Sequence, residues 1–192
     1  MVCDKNASSE SVTCSAGDDN VVLHCRLGGA ISGRVIDAKT HDACRGKVFV
    51  SQQGTQYFHM PSTGSDGTFR TEGLEPGTYA VAASTDDGRT GVLRGVELAP
   101  GTEAKDLVVE VSLGGHVRIR NDCKSRILSV TVQSGDIAVD SDGIEPGTAK
   151  TFTAPAGHLT LRVWLHPPPE EQKRELDLNA GEEKEVVFAD DR

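Results

Sequence analysis

At 192 residues the chain can form one large domain or two small ones, and its formal net charge of −9 argues against a nucleic-acid surface, since Lys and Arg are neither in excess nor clustered. Aromatic residues make up only 4%, glycines number 21, and no window holds a sustained helical period, so the composition points to all-β structure with frequent turns. No apolar run approaches the ~20 residues of a membrane span, no basic amphipathic segment offers a membrane anchor, and Met1-Val2-Cys3-Asp4-Lys5-Asn6 lacks the charged-then-apolar order of a signal peptide.

In chain order, residues 12–17 and 21–27 read as the two strands of a hairpin. Val12-Thr13-Cys14-Ser15-Ala16-Gly17 matches Val96-Glu97-Leu98-Ala99-Pro100-Gly101 at an offset of 84. Val21-Val22-Leu23-His24-Cys25-Arg26-Leu27-Gly28-Gly29 matches Leu107-Val108-Val109-Glu110-Val111-Ser112-Leu113-Gly114-Gly115 at an offset of 86. An isolated hairpin is marginal in water. Residues 1–29 therefore read as the terminal hairpin of an incomplete preceding repeat, with any signal peptide upstream of the chain. The alternative is that the hairpin packs as an extra edge onto the first full domain.

After the first Gly-Gly comes a strand, Ala30-Ile31-Ser32-Gly33-Arg34-Val35-Ile36-Asp37, then a loop over 38–46 and a strand over 47–51 with Val48 inward. Asp66-Gly67 marks a turn, and Thr68-Phe69-Arg70-Thr71 supplies the next strand with Phe69 turned inward. Gly73-Leu74-Glu75-Pro76-Gly77-Thr78-Tyr79-Ala80-Val81-Ala82-Ala83-Ser84 is a Pro-Gly turn feeding an alternating strand. Tyr79, Val81 and Ala83 fall on its inner face, with Thr78, Ala80, Ala82 and Ser84 on the other. Residues 96–101 and 107–113 close this unit.

A second set of strands comes after the second Gly-Gly: residues 116–121 and 127–132, then a copy of the Pro-Gly element. Ala156-Gly157-His158-Leu159-Thr160-Leu161 answers to Pro76-Gly77-Thr78-Tyr79-Ala80-Val81, and Leu176-Asp177-Leu178-Asn179-Ala180-Gly181 to residues 96–101, both at an offset of 80. The last strand is Val186-Val187-Phe188. The expected organisation is a partial repeat over 1–29, one β-sandwich over 30–113 and a divergent one over 114–192.

Ile31-Ser32-Gly33-Arg34-Val35-Ile36-Asp37, Ser65-Asp66-Gly67-Thr68-Phe69, Gly73-Leu74-Glu75-Pro76-Gly77-Thr78-Tyr79 and Val96-Glu97-Leu98-Ala99-Pro100-Gly101 resemble the carboxypeptidase regulatory-like domain. The resemblance covers residues 30–113 well and 114–189 loosely; in the second copy Ala154-Pro155-Ala156-Gly157 replaces the Leu-x-Pro-Gly turn, and no Asp-Gly-x-Phe element lines up. It implies a tandem of antiparallel, transthyretin-like (prealbumin-like) Greek-key β-sandwiches of about seven strands each. It also implies an accessory module of secreted, periplasmic or cell-surface proteins. The family's motifs are structural, so no catalytic residue carries over.

The candidate sites each have a plain structural reading. Cys14 and Cys25 occupy the phases of Leu98 and Val111, which makes them core thiols or the two ends of a hairpin disulfide. Cys44 and Cys123 each stand four residues before an inward strand residue and suit loop packing without a mutual bond. Cys3 sits in a loose terminus. No Cys-x-x-Cys pair supports a zinc finger, and the six histidines, His158 and His166 among them, form no paired ligands. Thr85-Asp86-Asp87-Gly88 and Asp140-Ser141-Asp142-Gly143 are too short for a calcium loop and read as turns.

Trp164 is expected to point outward beside Arg162, either stacking on a sugar or partner or packing under Pro167-Pro168-Pro169. Some related surface sandwiches carry a Lys–Asn crosslink, but neither Asn121 nor Asn179 sits where it is needed, and none is expected. No catalytic, cofactor-binding or metal-binding residue emerges. The sequence thus supports a non-catalytic module that acts in protein interaction, spacing or stabilisation of attached domains. Carbohydrate binding, on the starch-binding-like version of the sandwich, is the alternative, weakened by the presence of only one Trp and two Tyr.

Overall fold

The computed structural model describes residues 7–9, 13–17, 19, 21–22, 25–55, 58–124, 126–167 and 169–190. Every element among them is a strand. β1 (Ala7–Ser9) and β2 (Cys25–Leu27) pair antiparallel, with Ser9 opposite Cys25. The expected partner of β2 was the segment 12–17, but residues 13–15 are not in a strand, and Ala16 and Gly17 form a turn. Cys14, expected inward, is exposed and free. Without a ladder at that segment, the period-2 pattern there has no sheet face to follow. The side chains of Cys3 and Cys25 lie outside the described residues.

From Gly29 to Leu113 the chain makes two layers. Their strands are β3 (Gly29–Asp37), β4 (Gly46–Gln52), β5 (Phe58–His59), β6 (Thr68–Leu74), β7 (Gly77–Thr85), β8 (Arg89–Leu98) and β9 (Glu103–Leu113). One layer has the order β6-β3-β9 and the other β5-β4-β7-β8; they join at a corner where Arg89 faces Leu113 and Thr90 faces Ser112. Ile31, Val35, Phe69, Leu74, Val109 and Val111 of the first layer close on Val48, Val50, Tyr79, Val81, Ala83, Val96 and Leu98 of the second. This is the alternation read from residues 76–84, with the inward set where it was expected.

Residues 115–188 repeat the plan. β10 (Gly115–Asn121), β13 (Ala149–Ala154) and β16 (Glu183–Phe188) form one layer in the order β13-β10-β16; β11 (Ile127–Ser134), β12 (Ile137–Ile144), β14 (Gly157–His166) and β15 (Glu170–Leu178) form the other in the order β12-β11-β14-β15. Gly157 pairs with Leu178 as Gly77 pairs with Leu98, and Gly115 pairs with Ala154 as Gly29 pairs with Leu74. In both halves the ladders are antiparallel except one: β3 runs parallel to β9, and β10 parallel to β16.

Two strands of this half were not expected. β13 puts Phe152 opposite Val117, buried in the core, although no Asp-Gly-x-Phe element announces it. β12 contains Asp140-Ser141-Asp142-Gly143, read from sequence as a turn. Asp and Gly favour turns only where nothing better holds them. Here Lys47 holds Asp140 at 3.0 Å and Lys150 holds Asp142 at 2.8 Å, so the acidic pair stays in the ladder beside β11.

The halves share a core. Strand β7 is buried on both faces from Tyr79 to Thr85, and β4 from Val48 to Ser51. Phe49, Ala80 and Ala82, on the face turned away from the first core, belong to the same apolar cluster as Leu128, Val139, Phe152 and Leu161. The chain crosses between the halves at Gly114, whose N–H donates to the Gly88 carbonyl (3.0 Å) and whose carbonyl accepts from Gly181 N–H (2.7 Å). A Cβ at Gly114 would stand 2.6 Å from the Ala154 carbonyl oxygen, so the crossing is pressed against both halves.

Candidate functional site: the face between the halves

The face is built by β4 and β7 on one side and β12 on the other. Small residues on the outer side of β7, Ala80 and Ala82, let β12 come close, and Phe49 fills the space between them. At the edge of this contact the Lys47 ammonium meets the buried Asp140 carboxylate, which also accepts from Ser141 N–H (2.9 Å) and Thr153 N–H (3.4 Å). Burial pushes the Asp140 carboxyl above the usual carboxylate range, and the Lys47 charge opposes that rise. Arg94 reaches across as well, donating to the Ser134 carbonyl (3.4 Å) with Asp136 3.8 Å away.

Beside the apolar contact lies a cleft of about 170 Å³ lined by residues of both halves: Ser51 and Phe58 from the first, Thr131, Gln133, Arg162 and Trp164 from the second. Trp164 does point outward, 39% exposed, but Arg162 beside it is only 8% exposed. The Arg162 guanidinium is held by Glu171 on the neighbouring strand, with Nε donating to Oε1 at 2.7 Å. The Ser51 hydroxyl is buried and has no hydrogen-bond partner among the described residues. Sequence reasoning singled out Trp164 but missed Ser51 and Phe58, because which strands face β14 depends on how the halves meet.

A broader groove of about 1000 Å³ crosses the outer side of β6-β3-β9, with Arg34, Arg70 and Leu107 along it. Gly33, part of the Ile-Ser-Gly-Arg motif, lies at its floor; a Cβ there would stand 2.2 Å from the Leu107 carbonyl oxygen, at a bulge of the β3–β9 ladder. Nothing in the structure shows what covers this groove.

The remaining candidates are structural. Thr85-Asp86-Asp87-Gly88 is the β7–β8 turn, where Asp87 takes the Arg89 side chain and the Thr85 hydroxyl. Arg89 also pairs with Asp37, whose carboxylate accepts from the N–H groups of Thr40 and Lys39, both at 2.8 Å. Those two backbone bonds, with help from Arg89, hold the Asp37 carboxyl down at about 2. Cys44 and Cys123 are buried and free, and burial pushes both thiols up. Asn121 is fully buried; its amide donates to the Arg126 and Ile144 carbonyls (2.7 and 2.9 Å) and accepts from Cys123 N–H (3.0 Å), a complete set of backbone bonds. Asn179 is bound to Glu182 at 2.9 Å.

His158 and His166 are exposed, the former 2.9 Å from Asp177. Among the described residues no three of His, Cys, Asp and Glu come close enough to hold a metal ion. No helix among them is long and apolar enough to cross a membrane.

Comparison with solved structures finds distant likenesses. The Bacillus anthracis TIE protein is similar over 88% of this chain and 37% of its own, at 16% identity and a TM-score of 0.34. The minor pilin of Streptococcus agalactiae is similar over 84% of this chain and 94% of its own, at 9% identity and a TM-score of 0.32. A DUF3823 family protein from Parabacteroides merdae is similar over 80% and 98% of the two chains, at 13% identity and a TM-score of 0.33. No match was found among curated proteins. The family model of the carboxypeptidase regulatory-like domain matches residues 30–113, the span that carries the Ile-Ser-Gly-Arg, Asp-Gly-x-Phe and Pro-Gly motifs. The chain, then, contains a carboxypeptidase regulatory-like domain, and that domain is the first of its two sets of layered strands.

Proposed function

We propose that the chain is a non-catalytic accessory module of a secreted or cell-envelope protein, in which two β-sandwich units, residues 30–113 and 114–192, act together as a stiff spacer and protein-binding body for attached domains. One observation carries the reading: the outer face of β4 and β7 is buried under β12, so the units meet through an apolar face as well as a linker. Two beads on a flexible tether hold a neighbour at no fixed distance, whereas a shared core fixes both distance and direction. The polar clusters around Asp37, Asp140 and Asn121 each have satisfied partners that tie strands together, the arrangement expected of a scaffold.

Small-angle X-ray scattering on the chain tests this. The expected profile matches the single packed arrangement of the two units; a profile that requires an ensemble of separated units contradicts it.

A further inference from the structure

The cleft beside Trp164 has features that a spacer does not need. Its wall contains a buried hydroxyl, Ser51 Oγ, with no partner among the described residues. A buried hydroxyl left unpaired is costly, so natural structures usually provide a partner, from the protein, from water or from a ligand. The other polar groups that converge there are uncharged or already neutralised. Gln133 offers an amide and Thr131 a hydroxyl that also bonds Ser141 Oγ at 3.2 Å, and the Arg162 charge is balanced by Glu171 while its Nε and Nη2 are engaged. Asp136, also in the lining, has Arg94 3.8 Å away. An anion therefore finds no excess positive charge.

The apolar part consists of two aromatic rings, Trp164 and Phe58, with Ala138 beneath. Flat aromatic surface next to hydroxyl and amide groups suits the apolar face and the hydroxyl rim of a sugar ring. The volume agrees. A space of about 170 Å³ corresponds to about six water molecules, enough for one ring and too little for a drug-sized ligand.

We propose that this cleft is a binding subsite for a single neutral sugar ring, with Trp164 as the stacking surface and Ser51, Thr131 and Gln133 as hydrogen-bonding groups. The site exists only where the two halves meet, since Ser51 and Phe58 come from one and Trp164 from the other. The inference goes beyond the spacer reading, and the two fail separately: packed units by scattering together with no sugar response overturn the subsite alone.

Trp164 is the only tryptophan of the chain, so its fluorescence reports on the cleft without labelling. Titration of the full chain with D-glucose, D-galactose, D-mannose and N-acetylglucosamine is expected to change the emission saturably with at least one of them, at a Kd of about 1 mM. Inorganic phosphate and glucuronate are expected to leave it unchanged. Ser51→Ala, which removes the buried hydroxyl and keeps the melting temperature of the wild type, is expected to weaken binding about fivefold. Trp164→Ala, followed by calorimetry, is expected to weaken it about tenfold. No saturable response to any of the four sugars, a response to phosphate or glucuronate in their place, or binding that either substitution leaves unchanged overturns the proposal and leaves water as the partner of Ser51.

Discussion

At Gly114 a single methyl group decides whether the halves can meet. The nearest atoms to an added Cβ are the Ala154 carbonyl oxygen and Thr90 Cγ2, both at 2.6 Å, one from each half. Neither is the free end of a long side chain, so the strain cannot be relieved cheaply. Gly114→Ala is expected to destabilise the chain by about 1–3 kcal/mol in urea denaturation. Asp37 makes a different prediction. Its carboxyl is lowered from 3.8 to about 2, so the folded chain binds fewer protons there than the unfolded one. Its stabilising contribution is present above 3.8 and is lost as pH falls through about 2. Denaturation midpoints of Asp37→Asn are expected to fall less steeply over this window than those of the wild type. Of these two roles the sequence announced neither. The Gly-Gly pair was visible as punctuation, but the contact that makes Gly114 necessary comes from Ala154, 40 residues on.

Among the elements, β7 was the most legible and β12 the least. Pro76-Gly77 followed by alternating Tyr79, Val81 and Ala83 specifies a turn and an inner face, and both are present. The outer face reads Thr78, Ala80, Ala82, Ser84, which is as compatible with solvent as with a close neighbour. Small neutral side chains carry no sign of what covers them. For β12 the local signal is misleading, since Asp140 is kept in its strand by Lys47, 93 residues earlier. Removing Lys47 leaves that carboxylate buried without its counter-charge. Because the lysine is about half exposed, the cost of Lys47→Ala is expected to be about 1–2 kcal/mol, below that of breaking a fully buried pair.

The sign with pH is set by burial. With Lys47 gone, the already raised Asp140 carboxyl rises further. Folding then favours the protonated acid, so the deficit of Lys47→Ala is smallest in acid and grows as pH rises through the folded-state value. The double variant Lys47→Ala/Asp140→Asn is expected to lose this pH dependence. Equal pH slopes for the single and double variants contradict the pairing.

For the whole molecule, the 80-residue phase shared by Gly77–Leu98 and Gly157–Leu178 was visible in the sequence and gives both halves the same strand order. How the halves pack was not, because it rests on β12, whose local sequence reads as a turn, and on the small outer residues of β7. Phe49, Ala80 and Ala82 place part of the first half inside the apolar cluster of the second. Two units with separate cores melt independently, whereas units that share a face gain cooperativity from it.

Differential scanning calorimetry of the wild type and Phe49→Ala measures this most directly. The shared core predicts one transition in which calorimetric and van't Hoff enthalpies agree, shifted as a whole by a loss of about 3–5 kcal/mol in Phe49→Ala. Two resolved transitions, of which Phe49→Ala moves only one, would contradict it.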